Sequence, residues 1–63
     1  MTRRASISFR GEKVTVYYRV EHLRNSGVNF DWWFGGDDHR RFQTVTTAEE
    51  ETILSQLAEA EAA

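Results

Sequence analysis

Lys13 to Leu23, KVTVYYRVEHL, decides the fold. Val14, Val16, Tyr18 and Val20 alternate with Lys13, Thr15, Tyr17, Arg19 and Glu21, the period of two that sends one set of side chains to a buried sheet face and the other to an open one. On the N-terminal side, Ala5, Ile7 and Phe9 alternate with Ser6, Ser8 and Arg10, so Ala5–Arg10 reads as a second strand, joined through a Gly11-Glu12 turn. On the C-terminal side, Arg24-Asn25-Ser26-Gly27 is a turn by composition. Beyond it Val28, Phe30, Trp32 and Phe34 point one way while Asn29, Asp31 and Trp33 point the other. Gly35-Gly36-Asp37-Asp38 closes a third hairpin into a weaker strand over Arg40–Val45, whose only large apolar side chain is Phe42.

The period then changes. Thr47 followed three residues later by Glu50 matches a capping box, in which hydroxyl and carboxylate satisfy backbone donors at a helix start. A helix is expected over Ala48–Glu61, with Ile53, Leu54, Leu57, Ala58 and Ala60 on its packing side and Glu51, Ser55 and Glu59 opposite. These elements define one small α+β domain spanning residues 1–63. Its architecture is an antiparallel meander of three to four strands with one C-terminal helix packed on one face. The expected core is Ile7, Phe9, Val14, Val16, Tyr18, Val20, Val28, Phe30, Trp32, Phe34, Phe42, Ile53, Leu54 and Leu57. One helix covers one sheet face, so the face carrying Arg10, Lys13, Tyr17, Arg19, Asp31 and Trp33 is expected to stay open.

A 63-residue chain without cysteine has neither a disulfide framework nor thiolate metal ligands, and a reducing, cytoplasmic setting is the expectation. No apolar run reaches the length of a membrane span, and MTRRASISFRG lacks the apolar segment of a signal peptide. The net charge of −2 hides a polarity. Residues 1–28 hold six Arg or Lys against two Glu, a balance of +4, whereas residues 29–63 hold two Arg against eight acids, a balance of −6. No basic residue follows Arg41.

An enzyme is not expected, since no Ser-His-Asp or Cys-His set is present and so short a chain encloses little volume. Gly35-Gly36-Asp37-Asp38 is similar to the GG(D/E)EF signature of diguanylate cyclases, but Asp38-His39 stands where Glu-Phe belongs, and the stretch reads as a turn. Asp37, Asp38 and His39 splay around that turn, so no metal or cofactor is expected. Two binding readings stand. In one, Arg10, Lys13, Tyr17 and Arg19 on the open face bind single-stranded nucleic acid, with bases stacked on aromatics and phosphates neutralised by cations.

In the other, the acidic half meets a basic protein. Glu49, Glu50 and Glu51 suit the positive end of the helix dipole, but Glu59 and Glu61 lie near its negative end with no cation after Arg41 to pair with them. Asp31, Asp37, Asp38, Glu50, Glu51 and Glu59 then form the carboxylate set that imitates a phosphate backbone, with Trp33 as the anchor such an interface needs. In size, lack of cysteine and acidic C-terminal helix, the chain resembles small phage-borne anti-CRISPR inhibitors that mimic DNA. The resemblance implies a protein of the bacterial host cytoplasm that binds the nucleic-acid-binding subunit of a CRISPR effector, with Asp37, Asp38, Glu50, Glu51 and Glu59 as phosphate mimics. A self-associating phage accessory protein, a monomer or weak homo-oligomer joined through its opposite charged halves, is the remaining expectation.

Overall fold

In the computed structural model, which describes residues 1–63, the chain forms β1 (Arg3–Phe9), β2 (Glu12–His22), β3 (Val28–Gly35), β4 (Arg40–Arg41) and α1 (Thr47–Ala62). The strands make one antiparallel meander in the order β1-β2-β3-β4, and α1 packs chiefly on β1. The α+β architecture therefore follows the pattern of apolar periods.

Local chemistry moves several boundaries. The β1–β2 loop is Arg10-Gly11, one residue earlier than expected, with φ of 51° and 78° and Phe9 facing Glu12. Positive φ at both loop positions is the two-residue hairpin geometry whose twist matches the strands. Gly35 has φ of 108°, and a Cβ there would lie 2.1 Å from the His39 carbonyl oxygen, so the tight approach of the β3–β4 hairpin requires glycine. The helix cap sits one residue before Thr47. The Thr46 hydroxyl accepts from the Glu49 amide at 3.1 Å, and the Glu49 carboxylate accepts from the Thr46 amide at 2.9 Å. Thr46/Glu49 and Thr47/Glu50 fit the same sequence template. The first of these wins because Glu49 also meets a tertiary partner.

The core is one cluster of Ile7, Phe9, Val16, Tyr18, Phe34, Ile53 and Leu57, with Ala5, Val14, Val20, Phe30, Trp32 and Val45 partly buried against it. Three expected members fall outside. The fourth strand stops at Arg41, because only Phe34 and Gly35 find partners there, and Phe42 is left 96% exposed. Val28, at the start of β3, is half exposed, and Leu54 is only partly buried. No helix is long and apolar enough to cross a membrane.

Candidate functional site

The face of the sheet away from α1 is built by alternation. In register across it, Arg4 faces Tyr17, which faces Trp33, and Arg19 faces Asp31. Trp33, expected to be an exposed anchor, is instead buried at 5% exposure. Tyr17 stacks beside it with centroids 6.4 Å apart, and the guanidinium carbons of Arg40 and Arg19 lie 4.2 and 5.6 Å from its ring centroid. Its indole N–H donates to the Gly36 carbonyl at 2.8 Å. Cation–π contact and stacking thus satisfy Trp33 within the molecule.

Asp31 is also engaged. Arg40 donates to its two carboxylate oxygens at 3.3 and 3.0 Å, a bidentate pair that neutralises it beside the indole. Arg19, which faces Asp31 in register, donates from Nε to the Thr2 hydroxyl at 3.3 Å. Arg40 was missed as a member of this face because its position depends on where β4 pairs.

Arg10, expected among the open-face cations, leaves that face. Its positive φ breaks the alternation, and its Nε donates to Glu49 at 2.7 Å while Nη2 reaches Glu49 and the Thr44 carbonyl, both at 3.2 Å. The guanidinium also covers the Phe9 ring at 4.8 Å. Hydrogen bonding from Arg10 and from the Thr46 amide lowers the Glu49 carboxyl pKa to about 2. The open-face cations without a carboxylate partner are Arg4, Lys13 and Arg19. Arg4 escaped notice because β1 begins at Arg3 and not at Ala5.

Glu61, an acid with no cation after it in sequence, pairs with Arg3 from β1 and accepts from the Tyr18 hydroxyl at 2.7 Å. These hydrogen bonds hold its carboxyl below the usual range, while burial together with the bond to Glu61 pushes the Tyr18 phenol up. Its acidity therefore serves to fasten the helix end to the sheet. Glu50, Glu51 and Glu59 remain exposed and without an ion-pair partner. Asp37 and Asp38 are exposed as well, but Asp37 borders a hollow with Thr2, Arg3, Arg4 and Tyr17. The expected carboxylate set is thus divided: Glu50, Glu51 and Glu59 lie on the helix, and Asp37 lies toward the opposite side of the sheet. No group of three or more His, Asp or Glu side chains converges as metal ligands.

No protein-family model matches the chain, and no curated protein or solved structure is significantly similar to it.

Proposed function

We propose that this protein is a non-enzymatic inhibitor that docks the acidic outer side of α1 on the positively charged nucleic-acid site of another protein. An anti-CRISPR-like action on a CRISPR effector subunit in the bacterial host cytoplasm is the leading form of this reading. The observation that carries it is the sorting of carboxylates. The three ion pairs take Asp31, Glu49 and Glu61, while Glu50, Glu51 and Glu59 on the same helix as two of these are left facing solvent.

Glu51 and Glu59, eight residues apart on one helix, are separated by about 12 Å of axial rise, roughly the axial length of three to four nucleotides of a DNA strand. A rigid helix presents them without the ordering cost a flexible acidic tail would incur. Asp37 and Asp38 belong to a separate surface and contribute long-range attraction at most. Trp33 and Asp31 are withdrawn from the interface.

The test is displacement of labelled DNA from an effector complex. The native protein releases the DNA, and combined Glu51→Lys and Glu59→Lys substitution abolishes release. Release that survives this charge reversal refutes the reading.

A second reading is favoured by Arg4 and Arg19, which stand near Tyr17 on the open face, and by Lys13 farther along β2, all without carboxylate partners. Here the chain itself binds single-stranded nucleic acid, with Tyr17 as the stacking platform. A direct shift of labelled single-stranded DNA at low salt, lost on Arg4→Ala with Arg19→Ala, selects this reading over the first.

A further inference from the structure

The two edges of the sheet are treated differently. On the outer edge of β1 the Gln56 side chain accepts from the Ser8 amide at 2.7 Å and donates to the Ser8 carbonyl at 3.0 Å, so α1 occupies the outward backbone groups of Ser8 on that edge. The outer edge of β3 has no such cover. Leu23 donates to Gly27 across the β2–β3 hairpin, and Gly36 donates to His39 across the next. Counting in twos from these bonds, Asn29, Asp31 and Trp33 bond inward to β2, while Val28, Phe30 and Trp32 turn their N–H and C=O groups outward. β4 pairs only with Phe34 and Gly35, and no side chain bonds the outward groups of these three residues. An uncovered edge of this kind is a template for another strand.

We infer that this edge pairs with the same edge of a second copy, antiparallel about a two-fold axis at Phe30. In that register Phe30 faces Phe30 of the second copy and Val28 faces Trp32, and all of these residues carry outward-turned backbone groups. The apolar side chains of both strands then share the helix side of a continuous sheet. On the other side Asn29 faces Asp31 of the second copy, an amide against a carboxylate. Sliding the strands one way sets Asp31 against Asp31, a destabilising pair of like charges, and sliding them the other way leaves Trp32 opposite a turn.

Phe42 makes the surface self-complementary. It follows Arg41, the partner of Phe34, and is fully exposed at the end of the edge away from Val28. A two-fold axis at Phe30 exchanges the two ends and brings Phe42 of the second copy to Val28. There a mostly apolar hollow lies between sheet and helix, lined by Val20, Val28, Phe30, Ala58 and Ala62 together with His22 and Glu61. Two of the four large exposed apolar side chains, Phe42 and Val28, are covered by one operation. The outer side of α1 takes no part, so this pairing is independent of the inhibitor reading.

Sedimentation equilibrium on the full chain tests the inference. Mass is expected to rise with concentration from monomer to dimer, and Phe42→Ala or Val28→Lys, both at exposed positions, to weaken the dimer about tenfold or more. Asn29→Asp sets like charges against Asp31 and weakens it, with folding of each variant checked by circular dichroism. For the register, Asn29→Cys and Asp31→Cys chains are mixed with oxidised glutathione. The two positions face each other as a non-hydrogen-bonded pair, about 4.5 Å between Cα atoms, within disulfide reach, so the mixed disulfide forms faster than either homodimeric one. A protein that stays monomeric at millimolar concentration overturns the inference. So does a dimer indifferent to Phe42→Ala and Val28→Lys, or a mixture with no preference for the mixed disulfide.

Discussion

Gln56 of α1 closes both backbone groups that Ser8 presents at the edge of β1, at 2.7 and 3.0 Å. One amide side chain thereby joins helix to sheet and occupies the Ser8 end of that edge. Gln56→Ala is expected to cost about 1–2 kcal/mol, the net worth of two hydrogen bonds near the surface. Urea unfolding followed by circular dichroism measures it, and light scattering should register a rise in association through the bared β1 edge.

The helix start discriminates between two neighbouring threonines. Thr46→Ala removes the hydroxyl that accepts from Glu49 and is expected to destabilise by about 1 kcal/mol. Thr47→Ala, one residue on and inside the helix, should be neutral or slightly stabilising because alanine is the better helix former. Equal losses for the two variants in thermal melts would contradict the capping assignment.

Acid stability follows from Glu49 and Glu61. Both carboxyls titrate below their ordinary values in the folded protein, Glu49 at about 2, because arginine and hydroxyl or amide partners favour the charged form. The unfolded state then binds protons first as pH falls. Their stabilising contribution is full above the ordinary carboxylate range and is lost progressively from about pH 4.5 down through pH 2. The midpoint of thermal unfolding should fall over that window, and Glu49→Gln should flatten its share of the fall.

Removal of the Arg40 guanidinium should uncover Trp33. In a Trp32→Phe background, which leaves Trp33 as the only indole, Arg40→Ala is expected to increase acrylamide quenching and shift emission to the red. Unchanged quenching would mean that Tyr17 and Arg19 suffice to cover the ring.

Charge reversal separates the two faces. Glu51→Lys with Glu59→Lys should leave the melting temperature nearly unchanged, since neither carboxylate has an ion-pair partner. Arg3→Ala should lower it by freeing the Glu61 end of α1. A comparable loss from the first pair would reveal a structural role for the acidic side, to be read from differential scanning calorimetry.

Alternation from Ala5 to Phe9, from Val14 to Val20 and from Val28 to Phe34, the turn residues between them, and the change to a helical period after Thr47 were enough to place three strands and a helix. These signals are local: each depends on side chains two to four positions apart, which is where strand and helix geometry acts. Tertiary structure decided which side chains remain available. Arg10 meets Glu49 across 39 positions and Arg3 meets Glu61 across 58. Those meetings turned one expected open-face cation toward the helix and gave a seemingly partnerless acid a structural task. Trp33 reads as an exposed alternate in its own strand, but Arg40 comes from a strand of two residues whose pairing no local pattern specifies. Phe42 looked like core because it is large and apolar. It lies outside because burial depends on what another segment brings to cover it, and here the chain brings nothing.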